Sequence, residues 1–126
     1  MPNIIKRVAA IHDLSGFGRC SLTTVIPILS AMKTQVCPVP TAVLSTHTGG
    51  FSDFAFIDLT DYLRDYIRHW KELKISFDCI YSGFLGSEEQ FDIVSEFMTD
   101  FQSADTLTVV DPVLGDDGVL YSTITE

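Results

Sequence analysis

Hydrophobic positions along the chain switch between two periods. Residues 4–11 (IIKRVAAI) form a short apolar run that stops at His12 and Asp13, as a strand covered on both faces would. The stretch DLSGFG that follows reads as a glycine-containing turn. From about Ser21, Leu22, Val25, Ile26 and Leu29 recur at helical spacing, and Pro27, which lacks a backbone donor, predicts a kink or a late start. In VCPVPTAVLS two prolines interrupt the apolar positions, which makes Val43 and Leu44 the strand core and Val36 to Pro40 an edge or approach. THTGGFSDF then reads as a loop.

Between Asp58 and Lys74 the positions Leu59, Tyr62, Leu63, Tyr66, Ile67, Trp70 and Leu73 advance in steps of three and four with charges between them, the clearest amphipathic helix in the chain. DCIYS at 78–82 is a short strand ended by Gly83. Ser87 with Gln90 three positions later resembles a capping box, and Phe91, Val94, Phe97, Met98 and Phe101 supply the buried stripe of the helix it opens. LTVVD at 107–111 is a further strand, running into an acid and a proline. Strands alternating with helices predict right-handed crossovers and an α/β fold with a mostly parallel sheet. No helix follows DPVLGDDGVLYSTITE to cover the last strand, so an apolar surface and a strand edge are expected to lie open there.

Composition narrows the partners. With 46% apolar residues in 126, the chain can build one hydrophobic core. Of its 17 acids only Asp13 falls within residues 1–52, and the net charge of -9 makes nucleic acid and anionic membranes poor partners. The apolar run after Lys6 and Arg7 is too short for a signal peptide, and no stretch approaches a membrane span. Three widely spaced cysteines, Cys20, Cys37 and Cys79, form neither a disulfide framework nor a zinc-site spacing. A reduced, cytoplasmic protein is expected.

In an open parallel sheet, ligands bind beyond the carboxyl ends of the strands. Polar clusters occupy those positions: Asp13 to Gly18, THTGG at 46–50, Ser82 to Ser87, and Asp111 to Asp117. Gly16 and Gly18 satisfy half of a dinucleotide fingerprint, but its third glycine would fall at Ser21 and no acid follows about 20 residues on. No GxxxxGK[ST] loop occurs either. Asp13 either caps the following turn or helix, or accepts hydrogen bonds from a ligand that Gly16 and Gly18 let approach. His47 is a structural histidine or a catalyst, with no neighbouring acid in sequence to mark it as a general base, and Thr48 forms a turn or binds a hydroxyl. Core packing is the default for Phe51, Phe54 and Phe56, with a flap over a flat ligand as the alternative. Asp111 and Asp116, in a loop with Gly115 and Gly118, are either a solvated turn or holders of Mg²⁺ beside phosphates.

Four segments, IHDLSGFGRCSL, TAVLSTHTGGF, YSGFLGS and VVDPVLGDDG, together resemble in their order the N-terminal portion of the ribokinase-like vitamin kinases, bacterial pyridoxal/pyridoxamine kinases in particular. That resemblance implies that residues 1–126 are the N-terminal portion of a single ribokinase-like kinase domain with its C-terminal part missing. It also implies transfer of the γ-phosphoryl of ATP, with Mg²⁺ and with a monovalent cation as an open further cofactor, to the 5′-hydroxymethyl group of a pyridoxal-type ring, and a cytoplasmic homodimer for the complete enzyme. The positions it assigns to the substrate are Asp13, Ser15, Gly16, Cys20, Leu44, His47, Thr48 and Phe84, and those it assigns to nucleotide phosphates and metal are Asp111 and Asp116.

Two features depart from the family pattern. DLSGFG is similar to the D-x-S-G-x-G of hydroxymethylpyrimidine kinases in thiamine synthesis, where animal pyridoxal kinases carry Ser in place of Asp13, and Leu44 replaces an aromatic residue of some members. The family's catalytic base, an Asp in a glycine-rich segment, lies downstream of the matched region, so the chain alone is expected to be inactive or nearly so. The alternatives are a hydroxymethylpyrimidine kinase and a non-catalytic ligand-binding protein with a kinase-like half.

Overall fold

The computed structural model describes residues 5–113, 115–116 and 118–120. The elements are β1 (Arg7–Phe17), α1 (Leu22–Ala31), β2 (Gln35–Thr46), β3 (Phe56–Asp58), α2 (Thr60–Glu72), β4 (Cys79–Ser82), α3 (Glu88–Phe101), β5 (Leu107–Val110), β6 (Gly115–Asp116) and β7 (Val119–Leu120). Five strands form one sheet in the order β3-β2-β1-β4-β5, parallel except for antiparallel β3, while β6 and β7 pair as a separate ribbon. This is the expected α/β architecture.

The core lies between one sheet face and helices α2 and α3. Ala9, Ile11, Val39 and Ile80 from the strands meet Leu63, Ile67, Ile93, Val94 and Phe97 from the helices, with Phe77 and Leu85 closing its ends. Successive strand residues face opposite sides, and α1 covers β1 and β2 from the other face. The helical stripes are narrower than their periodicity predicts. Tyr62, Leu73 and Phe91 are exposed, and Ile93 fills the place expected of Phe91. Ser87 caps α3 by accepting a hydrogen bond from Gln90 N at 3.2 Å. The reciprocal half of the capping box is not made, because the Gln90 side chain turns into the protein instead.

Strand β1 continues through the stretch expected to be a turn. The apolar run does end at His12, but backbone pairing with β2 carries on to Phe17↔Thr46. Polar Asp13 and Ser15 are tolerated in the strand because Ser21 and Cys20 provide local hydrogen-bond partners. The reversal itself comes later, at Gly18 (φ +102°) and Ser21 (φ +50°), and an isolated bridge joins Ser21 back to Leu14. Pro27 sits inside α1, which starts at Leu22 regardless.

Strand β2 is one continuous strand from Gln35, prolines included. Gln35 N donates to Lys6 O at 2.8 Å, so odd-numbered residues in this part of β2 point their N–H toward β1 and even-numbered ones point away. Pro38 and Pro40 therefore lack donors only on the side that β3, paired with residues Ala42 to Leu44, does not reach. That side is the edge expected for this segment, and the hydroxyl of Tyr66 donates to Pro38 O along it. Between His12 and Leu14 the pairing slips by one residue, a β-bulge at Thr41 and Ala42. Short β3 carries no sequence signal, because all three of its side chains are exposed.

At the far side, β5 is the outermost strand of this sheet among the described residues, with Leu107, Val109 and Val110 exposed. Phe97 is fully buried against Phe77, Phe101 and Trp70. Its replacement by Ala should lower the unfolding free energy by about 3–5 kcal/mol, as for other buried aromatic truncations. Phe91→Ala, at an exposed site of the same helix, should stay within about 0.5 kcal/mol. Urea unfolding of the two variants checks the contrast, and equal losses would mean that α3 is packed through a different face.

Candidate functional site

The sheet order places a topological switch between β1 and β4. From β1 the chain proceeds through α1 to β2 on one side, and β4 then enters on the other, the arrangement at which open α/β sheets form a ligand crevice. Pairing of β1 with β4 ends at Ile11↔Ser82, six residues before pairing with β2 ends at Phe17. Gly83 N donates to Ile11 O at 3.0 Å, Asp111 N to Ser82 O at 2.9 Å and His47 N to Phe17 O at 3.1 Å. These bonds tie together the ends of β1, β2, β4 and β5, so the polar clusters at these strand ends share one rim of the sheet.

Asp13, half-buried, accepts from Ser21 Oγ at 2.8 Å. It thus braces the residue that precedes α1 rather than capping a backbone N–H, and Ser21 itself makes no side-chain cap. A carboxylate has about four acceptor positions, so this bond leaves capacity for a ligand donor. Ser15 is fully buried, and Cys20 Sγ donates to its Oγ at 3.4 Å. Gly16 is exposed on the strand, while a Cβ there would stand 3.1 Å from Ser45 O.

Gly18 holds a conformation that side chains rarely adopt, and a Cβ on it would overlap the His47 ring. His47 meets Phe51 edge-on at 5.0 Å, and Phe51 meets Phe17 at 5.8 Å. Phe51 and Phe56 are exposed, so the default of core packing does not hold for them. Phe51 instead lies across the ends of β1 and β2. Thr48 is exposed, Leu44 is buried in the sheet, and Phe84 is half-buried after β4.

His12 is a site residue that sequence reasoning took only as the end of an apolar run. It is 5% exposed, packs edge-on against Tyr81 at 4.5 Å, and its Nε2 has no hydrogen-bond partner among the described residues. Gly83 makes room for it, because a Cβ at that position would overlap the imidazole. Burial pushes the His12 pKa below its usual 6.5, against the opposing pull of the Asp13 and Asp111 carboxylates. No local pattern announces such a residue: a histidine at a strand end has the same sequence context whether it is covered or not.

Asp111 is exposed at the end of β5. Asp116 lies in β6, but its side chain, like all of Asp117, is outside the described residues. Among the described residues no three His, Cys, Asp or Glu side chains gather as a metal cluster. All three cysteines are free thiols, and burial raises the pKa of Cys37 and Cys79. No helix among the described residues is long and apolar enough to cross a membrane.

No family model and no curated protein matches the chain. Among solved structures it is similar to a protein named as a phosphomethylpyrimidine kinase from Bacteroides thetaiotaomicron, with 56% identity and a TM-score of 0.94 over 99% of this chain and 43% of that one. An orthorhombic form bearing that name, with pyridoxal, matches at 57% identity and a TM-score of 0.92, over 96% and 42% of the two chains. Pyridoxal kinase from Lactobacillus plantarum is 35% identical with a TM-score of 0.87, over 98% and 43%. The chain thus spans a little over two fifths of the length of these proteins.

Two outcomes test the rim. Because folded His12 binds its proton less readily than unfolded His12, stability should be fully present above about pH 6.5 and decline as the pH falls below it. His12→Gln should flatten that decline in urea midpoints measured at about pH 7.5 and 5.5. An unchanged slope would assign the pH dependence to other groups. Gly83→Ala should displace the imidazole and lower the midpoint at both pH values.

Proposed function

The chain has the ribokinase-like fold of the vitamin kinases, and from that premise we propose that it is the substrate-side portion of an ATP-dependent kinase that phosphorylates the 5′-hydroxymethyl group of a pyridoxal-type ring. The observation that carries the ring assignment is the 57% identical structure with pyridoxal, which spans 96% of this chain. The second reading is a hydroxymethylpyrimidine kinase: the name of that same protein, phosphomethylpyrimidine kinase, supports a pyrimidine in place of the pyridine ring, although the group that name specifies is a phosphomethyl and not a CH₂OH. Both acceptors are planar nitrogen rings bearing a CH₂OH group. Their common chemistry is attack of the hydroxyl oxygen on the γ-phosphorus of ATP as the bond to the ADP oxygen breaks.

In this reading each part of the rim has a task. Asp13, held by Ser21, accepts a hydrogen bond from the polar edge of the ring. Gly16 lets the backbone approach, the Ser15–Cys20 pair lies beneath it, and Leu44 supplies apolar floor. His47, Thr48 and Phe84 border the ring from the β2 and β4 loops.

The donor chemistry at β5 suits Mg²⁺, which keeps several waters and takes one or two carboxylates with the nucleotide phosphates. Asp111 would hold it, directly or through water, with Asp116 as the second acid, and the ion would neutralise phosphate charge. The base that accepts the hydroxyl proton belongs to a downstream segment, so residues 1–126 alone should turn over slowly or not at all. A soluble cytoplasmic homodimer is the proposed setting of the complete enzyme.

In the complete kinase, Asp13→Ala should raise the KM for the ring substrate by about tenfold or more, the loss of one hydrogen bond to a charged group. The KM for ATP should stay within about twofold. Steady-state kinetics with pyridoxal and with hydroxymethylpyrimidine, run side by side, test both assignments. Wild-type KM values for both rings in the variant would remove Asp13 from the site.

A further inference from the structure

Gln90, in the first turn of α3, is 2% exposed and uses both ends of its amide. Its Oε1 accepts from Gly86 N at 2.8 Å. Its Nε2 donates to Thr41 O at 3.1 Å and to Thr60 Oγ1 at 3.0 Å. Gly86 belongs to the loop after β4 that carries Phe84, and Thr41 is at the bulge of β2. The bulge is where the β1–β2 register steps by one residue, so that Leu44 pairs with Ser15 while Val39 pairs with Ile11. In a strand, a one-residue step decides which side chains face which side. The Thr41 carbonyl is held at that step by two donors, Gln90 Nε2 and Leu59 N, the latter at 3.1 Å.

We infer that Gln90 is a positioning residue for the ring-binding rim: one buried amide fixes both the β2 bulge, which sets the orientation of Leu44 to Thr48, and the β4 loop that carries Phe84. The inference rests on the ring-kinase reading above. Gln90 touches no ring itself. It acts by keeping two segments of the rim at a fixed separation, and apolar packing in its place would leave Thr41 O and Gly86 N without those partners.

The test is Gln90→Met in the complete kinase, with Gln90→Glu as a second variant that keeps an acceptor for Gly86 N but has no donor for Thr41 O. Gln90→Met should raise the KM for the ring substrate about tenfold, leave the KM for ATP within about twofold, and speed hydrogen exchange at the Gly86 and Leu59 amides. Gln90→Glu should keep Gly86 protected while losing protection at Leu59. A stability loss with unchanged ring KM and unchanged exchange at both amides would reduce Gln90 to core support and overturn the inference. If the wild-type kinase phosphorylates neither ring, the functional reading fails. Exchange at Gly86 and Leu59 then still decides on Gln90: faster exchange in the Met variant upholds its hold on both segments, and unchanged exchange overturns it.

Discussion

The structure depends on where β4 stops pairing with β1. Up to Ile11 the central strand is hydrogen-bonded on both sides, and its small or branched side chains are buried. Beyond Ile11 only β2 accompanies it, and the backbone groups on the vacated side need other partners. The chain itself returns to provide them, through the Leu14–Ser21 bridge. This return brings Asp13 against Ser21 and Ser15 against Cys20. The rim is thus a by-product of unequal strand lengths, and its polar residues are those that the backbone geometry leaves beyond the last β1–β4 pair.

The surface helices contribute charge more than grip. Arg64 meets Glu96 at 2.7 Å and Lys71 meets Asp100 at 3.0 Å, tying α2 to α3 from outside. Exposed pairs of this kind add about 0–1 kcal/mol each, so the aromatic cluster of Trp70, Phe77, Phe97 and Phe101 beneath them governs how the two helices sit. The acids concentrated after residue 52 largely decorate α2, α3 and their loops.

Periodicity made the three helices and strands β1, β2 and β4 legible, because each of those elements buries at least part of one face, whereas β5 was legible only as the apolar run LTVV, three of whose four residues are exposed. Strand β3 was not legible, since Phe56, Ile57 and Asp58 are all exposed and the strand exists only through its backbone pairing with β2. The turn expected at DLSGFG was misplaced for a related reason: strand extent follows backbone partners as well as side-chain polarity, and β2 is long. Of the site, Asp13 to Gly18 were readable as a polar cluster near a strand end, while Cys20 entered only through the family resemblance; the structure pairs Asp13 with Ser21 and Ser15 with Cys20. His12, Ser21 and Gln90 were not readable as members of the rim. Their roles come from contacts distant in sequence, such as Ser21 to Asp13, His12 to Tyr81 and Gln90 to Thr41, and no spacing rule encodes such contacts.

The two prolines of β2 have a bearing on how the protein avoids unwanted association. A strand edge recruits other chains by offering alternating donors and acceptors. Along Val36 to Pro40 the outward donors at Pro38 and Pro40 are missing by covalent structure, and the outward acceptor at Pro38 is occupied by Tyr66. An incoming strand would find little to bond there, so this edge is protected against aggregation without any charge placed on it. No proline interrupts β5, Leu107 to Val110, the outermost strand of the opposite side among the described residues, so that side carries no such block on its backbone donors.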